Sequence, residues 1–107
     1  MSHLYFTITG LNYRHGDSFL EPGMKVRLVK EPDNEYDKEA IRVELDGVGI
    51  IGYVANSTRT VLGESHSAGY IYDKIKKNAS GKVCYVLPGG VICSVEGDSL
   101  HGKTKRK

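Results

Sequence analysis

Five acidic side chains alternate with other residues between two apolar stretches of the chain. They are Glu31, Asp33, Glu35, Asp37 and Glu39. Counting Asp33 as the first position of a calcium-binding loop puts Glu44 at the twelfth, but Lys38 occupies the sixth, where such a loop needs glycine. The residues that follow alternate like a strand, where a calcium loop needs a helix. We therefore interpret the calcium-like spacing as accidental.

Paired carboxylates could also act as a general acid and a general base, provided that burial separates their pKa values. The four histidines that could assist them are scattered in predicted loops and termini. They are His3, His15, His66 and His101. No nucleophile and base occur at a spacing that is typical of a catalytic site. The sequence therefore predicts a protein that is not an enzyme and takes no metal or cofactor. A magnesium-dependent nuclease or phosphatase is a less favoured alternative, which requires metal-dependent cleavage that is lost on substituting Asp33 or Asp37.

The two cysteines, Cys84 and Cys93, flank the turn sequence Pro88-Gly89-Gly90. They lack a CxxC spacing, and two thiols supply half of the usual ligand set of a structural zinc ion. Neither stands directly beside a His, Lys or Arg that would lower its thiol pKa. A disulfide across a hairpin is geometrically conceivable, but we favour two reduced, buried thiols with a structural role.

Alternating apolar residues predict that the acidic run lies between short β-strands. The predicted strands cover residues 4–11, Met24–Lys30, Ala40–Leu45, Val48–Val54, Tyr70–Ile75, Lys82–Leu87 and Val91–Val95. Asp46-Gly47 fits a hairpin turn, and Ser57–Leu62 is the one good helical stretch, capped by Asn56 or Ser57. Such regular spacing predicts a mainly β chain, folded as a small closed barrel or a sandwich, with one or two short helices.

Length and charge limit the classes of protein that remain. With 107 residues the chain fits one domain and is too short for a motor or a large catalytic scaffold. The net charge is +2, but four cations lie in the last five residues, so the rest has 11 basic and 13 acidic residues and a net charge of −2. A nucleic-acid site on such a body has to be local, with few phosphate contacts. We predict one domain over residues 1–98 and a basic, disordered tail over residues 99–107.

The sequence also bears on location. No apolar run approaches the ~20 residues of a membrane span. The amino terminus lacks the basic and apolar regions of a signal peptide. We therefore expect a protein that is not secreted, has no membrane partner and resides in the cytoplasm.

One stretch of the chain carries a family signature. LVKEPDNEYDKEAIRV, residues 28–43, followed by GIIGYV, residues 49–54, resembles the signature of the HIRAN domain. That signature has an acidic residue and proline, then Asn-x-Tyr-Asp-x-x-Ala-Ile-x-Val, then a glycine-led strand with Gly-aromatic-hydrophobic. GLNYRHG, residues 10–16, also resembles the first loop of the family. The resemblance covers roughly residues 4–96, with Asn34, Tyr36, Asp37, Ala40 and Gly52 in register.

The resemblance implies a variant of the OB-fold, a β-barrel of about six strands, and a non-catalytic module. HIRAN domains at the amino termini of eukaryotic fork-remodelling translocases hold the 3′ end of single-stranded DNA, and bacterial members often occur alone. For this chain the resemblance therefore implies single-stranded DNA as the partner and a role in DNA repair or replication-fork processing.

By register with the family, Tyr13 and Tyr36 would stack on the terminal bases, and Asp37 would accept a hydrogen bond from the 3′-hydroxyl. Asn34 would add a contact to base or sugar. An acid suits end recognition, because a continuing strand would bring a phosphate against it. The alternative for Asn34 and Asp37 is that they fix the turn through side-chain to backbone hydrogen bonds. Tyr53 is more typical of a core or rim position.

The chain departs from DNA-holding members at three positions. Asn12 stands where they have arginine, Arg14 replaces a second loop aromatic, and Asn56 falls near an expected basic residue. Arg14, His15 and Arg59 are the candidate replacements for the missing phosphate contacts. The predicted nucleic-acid site comprises Tyr13, Arg14, Asn34, Tyr36, Asp37, Tyr53, Asn56 and Arg59.

A second class of function stays open at the level of sequence, namely a protein-interaction or homo-oligomerisation domain of OB-like fold without DNA binding. An exposed barrel edge, such as Tyr70–Ile75 or Val91–Val95, could pair with another chain, and tyrosine is favoured in interfaces. Size-exclusion chromatography with light scattering separates the two classes. A tight oligomer that covers Tyr36 would argue against DNA binding.

Overall fold

The computed structural model describes residues 4–9, 20–57, 63, 65–87 and 90–100. These residues form six strands, one short helix and a 3₁₀ turn. The elements are β1 (Tyr5–Thr9), β2 (Lys25–Lys30), β3 (Ile41–Leu45), β4 (Gly49–Val54), α1 (Ala68–Tyr72), β5 (Asn78–Leu87), β6 (Gly90–Val95) and the 3₁₀ turn Gly97–Ser99. The strands close into an antiparallel barrel in the order β1-β4-β3-β2-β5-β6. The predicted mainly β, OB-like barrel is thereby confirmed.

β1 closes the barrel by pairing with β4 on one side and β6 on the other. The seam with β4 depends on Gly52. A Cβ atom at this position would collide with the carbonyl oxygen of Thr9 and lie 2.9 Å from Ile8 Cγ2. Glycine is therefore required here because the two backbones approach too closely for any side chain.

The core follows from the alternation of the strands. In β3, Ile41, Val43 and Leu45 are buried, whereas Arg42 and Glu44 are only partly covered. Side chains from the other strands meet them inside the barrel, among them Phe6, Ile8, Leu28, Ile51, Val83 and Val91. Each fully buried side chain of this size stabilises the fold by about 1.5–3 kcal/mol relative to exposure.

The prediction of a strand at Tyr70–Ile75 is wrong, because this part of the chain begins as helix α1. Ser67 caps the helix by accepting a hydrogen bond from the Tyr70 amide at 3.2 Å. Ala68, Ile71 and Ile75 are fully buried, at the spacing of one helix face. Ile71 and Ile75 are four residues apart, and this spacing fits both a helix face and a strand face.

Neither segment considered as a pairing edge is an edge. Tyr70–Tyr72 is helical, and β6 is hydrogen-bonded to both β1 and β5. The strand-pairing form of the protein-interaction hypothesis therefore loses the two segments on which it rested.

β5 begins at Asn78, four residues before the predicted strand. The sequence Asn78-Ala79-Ser80-Gly81 is typical of a turn, and the barrel overrides that preference. Gly81 is needed where it stands, because a Cβ atom there would lie 2.7 Å from the Ser94 carbonyl oxygen and 3.1 Å from the Phe6 ring.

Three further predictions concern the remaining parts of the chain. The helix expected at Ser57–Leu62 lies outside the described residues except for Ser57, which is a bend. Cys84 and Cys93 are both free, with Cys93 buried and Cys84 half-buried. The domain boundary at residue 98 stays a prediction; the Ser99 hydroxyl accepts from the Ser80 amide at 2.9 Å, and Leu100 packs against the core. Among the described residues, no helix is long and apolar enough to cross a membrane.

Candidate nucleic-acid interface

The acidic run forms the connection between β2 and β3, here called the β2–β3 loop, residues 31–40. Backbone hydrogen bonds give this loop a defined shape. Glu31 N–H donates to the Ala40 carbonyl at 2.9 Å and closes the base of the loop. Within the loop, Asn34 N–H donates to the Glu31 carbonyl, and Ala40 N–H donates to the Asp37 carbonyl. The loop is therefore folded onto itself, and its backbone follows a defined course.

Asn34 organises the first half of the loop. Its Oδ1 accepts hydrogen bonds from the amides of Tyr36 at 2.8 Å and Asp37 at 2.9 Å, and its Nδ2 donates to Glu31 Oε1 at 2.9 Å. This is the side-chain to backbone pattern by which asparagine stabilises turns. Both lone pairs of Oδ1 are occupied, so Asn34 positions Tyr36 and Asp37 through their backbone amides.

Asp37 stabilises the second half of the loop and connects it to Asn56, which follows β4. Its Oδ1 accepts from the Glu39 amide at 2.9 Å, and its Oδ2 accepts from Asn56 Nδ2 at 2.9 Å. Asn56 in turn accepts from the Gly69 amide at the start of α1, at 2.7 Å. A carboxylate has about four acceptor sites, so Asp37 retains capacity for a hydrogen bond from a ligand.

These residues border an open cavity of about 600 Å³, here called the Tyr36 cleft. Its lining consists of Asn34, Tyr36, Asp37, Ala40, Tyr53, Val54, Asn56 and Ser57. Ala40 and Val54 are buried and give the cleft an apolar part, while the Tyr36 side chain is 93% exposed. An aromatic ring left in solvent beside an apolar surface is available for stacking on a planar ligand.

Glu31 holds the base of the loop to the barrel. The Tyr53 hydroxyl donates to its carboxylate, at 3.2 Å from Oε1 and 3.1 Å from Oε2, and Arg42 Nη1 lies 3.2 Å from Oε2. Desolvation raises the pKa of Glu31, but hydrogen bonds from Asn34, Arg42 and Tyr53, together with the charge of Arg42, outweigh it and hold that pKa below its ordinary value. Glu31 therefore stabilises the loop in its ionised form.

Arg42 is committed to this network. Its Nε lies 2.6 Å from Glu44 Oε2, and Glu44 also pairs with Arg27 at 3.2 Å. Hydrogen bonds to Glu44 and to Glu31 raise the pKa of Arg42 despite partial desolvation.

The structure brings together five of the eight predicted site residues, because Asn34, Tyr36, Asp37, Tyr53 and Asn56 all border the Tyr36 cleft. Tyr13, Arg14 and Arg59 lie outside the described residues.

Three further residues of the cleft are not predicted as site residues from the sequence. Ala40, Val54 and Ser57 also line it. From the sequence, Glu31 is identified only as one of the acids of the loop. Its position directly after a strand and before Pro32 is the signal that it could fix the loop. Among the described residues, no three histidine, cysteine or acidic side chains gather in a way that could hold a metal ion.

Two solved structures share the fold of this chain. The crystal structure of the HIRAN domain of human HLTF has a TM-score of 0.55 and 22% sequence identity, covering 88% of this chain and 74% of that one. The crystal structure of a protein from Lactobacillus plantarum has a TM-score of 0.53 and 20% identity, covering 89% of this chain and 97% of that one. No curated protein sequence gives a significant match.

The family comparison covers most of the sequence. The model of the HIRAN domain matches residues 1–87, which include the whole β2–β3 loop and all of β1 to β5. This agrees with the register of Asn34, Tyr36, Asp37, Ala40 and Gly52 in the sequence. The chain belongs to the HIRAN domain family.

Proposed function

We propose that this chain is a non-catalytic module that holds single-stranded DNA at a 3′-hydroxyl end, in the Tyr36 cleft. Family membership supports a DNA-binding module in general terms. The observation that carries the finer proposal is the meeting of an exposed aromatic ring, Tyr36, and a carboxylate with spare acceptor capacity, Asp37, in one cleft. Repair or fork processing is the setting in which such an end is exposed.

Each cleft residue has a separate task in this proposal. Tyr36 stacks on the terminal base, an interaction worth about 1–3 kcal/mol. Asp37 accepts the hydrogen bond of the 3′-hydroxyl, and Asn34 positions both residues. Asn56 keeps the Asp37 carboxylate in place, and Tyr53 borders the sugar. Tyr13, Arg14 and Arg59 remain proposed contacts to base and phosphate.

The charge of Asp37 provides the selectivity for an end. A strand that continues past the cleft, or an end that carries a 3′-phosphate, places a negative group beside this carboxylate. Like charges at such close range disfavour binding. None of the described residues that line the cleft is a cation that would offset the repulsion.

The test compares a fluorescent ~10-mer that has a free 3′-hydroxyl with the same oligomer that has a 3′-phosphate. We expect tighter binding of the free end by the unchanged protein. Asp37→Asn should weaken the 3′-hydroxyl oligomer and leave the 3′-phosphate oligomer unchanged or bound more tightly. Asp46→Asn is the matched control, because it removes the same charge from an exposed turn outside the cleft. Equal losses on both oligomers with Asp37→Asn would contradict end recognition.

A further inference from the structure

A second cavity lies at the other side of the β2–β3 loop and is not used by the proposed end recognition. It has a volume of about 450 Å³ and is here called the Lys30 cleft. Its lining consists of Val29, Lys30, Glu31, Pro32, Asp33, Arg42 and Lys77. Three of these residues are cations, in contrast to the lining of the Tyr36 cleft.

The three cations differ in whether a carboxylate pairs with them. The carboxylates of Glu31 and Glu44 engage Arg42 in ion pairs. Among the described residues, Lys30 and Lys77 form no ion pair. The Lys30 amine lies 4.7 Å from the centre of the Tyr72 ring. Asp33 stands exposed in the loop and is the remaining acid of the lining.

Lys30 and Lys77 are neighbours in the barrel wall, where β2 pairs with β5. The Lys30 amide donates to the Lys77 carbonyl at 3.3 Å, one step beyond the Val29 and Asn78 pair of the β2–β5 ladder. Residues directly opposite on antiparallel strands place their side chains side by side, and like charges there are destabilising. Desolvation lowers the pKa of Lys30, and the charge of Asp73 only partly opposes this shift. An anion bound in the cleft beside these lysines would offset both costs.

A hydrogen bond between one lining residue of each cleft connects the two clefts. Glu31 lines the Lys30 cleft, and its carboxylate accepts the hydrogen bond of Tyr53, which lines the Tyr36 cleft. A strand that ends in one cleft can therefore pass the other within a short stretch of backbone. A polyanion fits this arrangement when its charged groups are regularly spaced and each group is small enough to lie beside a pair of amines.

We propose that the Lys30 cleft binds the phosphodiester backbone of the same strand whose 3′ end occupies the Tyr36 cleft, with Lys30 and Lys77 as the phosphate contacts. This inference rests on the proposed function and assigns a second subsite to it. The Tyr36 cleft selects the end, and the Lys30 cleft adds attraction that depends on the length of the strand and on salt.

The test uses two double variants of the full chain. K30M/K77M removes both amines and keeps side chains of similar length. K25M/K82M is the matched control, because Lys25 and Lys82 are also directly opposite each other on β2 and β5, are exposed and line neither cleft. Circular dichroism and thermal melting establish that both variants fold. The probes are a 10-mer and a dinucleotide, each with a free 3′-hydroxyl, titrated from 50 to 200 mM salt.

We expect K30M/K77M to bind the 10-mer about tenfold more weakly at 50 mM salt, with a salt slope shallower by about 0.7 for each phosphate that the variant leaves unneutralised. Dinucleotide binding and the preference for a 3′-hydroxyl over a 3′-phosphate should not change. K25M/K82M should stay within about twofold of the unchanged protein, because exposed charges away from the site are screened.

The outcomes separate this inference from the proposed function. Equal losses in the two double variants, or no loss in K30M/K77M, would overturn the Lys30 cleft as a subsite and leave end recognition intact. A lysine effect without any 3′-hydroxyl preference would overturn end recognition and support phosphate binding. Failure of the unchanged protein to bind either probe would overturn both.

Discussion

The two clefts beside the β2–β3 loop have opposite chemistry, although a hydrogen bond between Tyr53 and Glu31 connects them. The Tyr36 cleft combines an exposed aromatic ring, an apolar part and one carboxylate. The Lys30 cleft contains two lysines and one arginine. The arginine is already paired with Glu31 and Glu44, whereas the lysines form no ion pair among the described residues. In the proposed function, the Tyr36 cleft discriminates between ligands because a misplaced phosphate meets Asp37, and the Lys30 cleft attracts any phosphate.

If the proposals hold, this difference explains how a domain with little net charge binds a polyanion selectively. If the cations lay beside Asp37, they would neutralise the carboxylate that distinguishes a hydroxyl end from a phosphate end. Placing attraction and discrimination on opposite sides of one loop keeps the two effects independent. Substitutions that affect only one side therefore test this separation.

The largest expected effect of a single substitution is that of Tyr36→Ala. We expect 3′-hydroxyl oligonucleotides to bind about 5- to 150-fold more weakly, because the variant cannot form a base-stacking interaction worth about 1–3 kcal/mol. The salt slope and the melting temperature should stay unchanged, since the ring is 93% exposed and lies apart from the lysines. Fluorescence anisotropy titrations at several salt concentrations provide the measurement.

Tyr85→Ala is the control for that substitution. Tyr85 is also an exposed tyrosine, at 59%, and it lies on β5 outside both clefts. A similar loss of affinity with Tyr85→Ala would show that general aromatic surface, rather than the Tyr36 cleft, binds the strand.

Asn34→Ala should have the next largest effect, and it should act on both clefts through the loop. The substitution leaves the Tyr36 and Asp37 amides without their acceptor and removes a donor from Glu31. We expect the free energy of unfolding to fall by about 1–2 kcal/mol. Urea denaturation measures this, with Asn78→Ala as the control, because Asn78 is exposed at the start of β5. If both variants lose the same stability, Asn34 does not organise the loop.

Glu31→Gln should have the smallest effect, and its signature is a change in pH dependence. The folded pKa of Glu31 lies below its ordinary value of 4.5. Its contribution is therefore present above that pH and is lost as the pH falls through the folded pKa. We expect a loss of about 1 kcal/mol at pH 7.

Thermal melting of the unchanged protein and of Glu31→Gln from pH 7 to pH 3 tests this expectation. The gap between the two melting temperatures should narrow below pH ~4.5, as Glu31 becomes protonated. A gap that is constant or widens in acid would show that another group is responsible for the acid sensitivity of the loop.

Local signals in the sequence account for the parts of the molecule that were predicted correctly. The alternation of β3 and the Asp46-Gly47 turn indicated a hairpin, and Gly47 has the positive φ of +82° that this turn requires. Asn34 bonds to amides two and three residues ahead, so its contacts depend only on the chain around it. Interactions over so few residues cost little conformational entropy, and residue type is enough to specify them.

Helix α1 shows where local signals fail. Ile71 and Ile75 fit either a strand or a helix by spacing alone, and the choice follows from burial against the barrel together with the Ser67 cap. The early start of β5 has the same cause, because pairing with β2 and packing of Phe6 over Gly81 outweigh the turn preference of the sequence.

Residue order alone is enough to specify a mainly β chain, the loop between β2 and β3, and the family signature that this loop carries. The folded barrel is needed to bring Asp37 to Asn56, 19 residues away, Tyr53 to Glu31, and Lys30 to Lys77. Those contacts join segments that are distant in sequence, and they form only when β2, β3, β4 and β5 pair in register. Residue type can specify a turn, but a cleft depends on where the closed sheet places its loops.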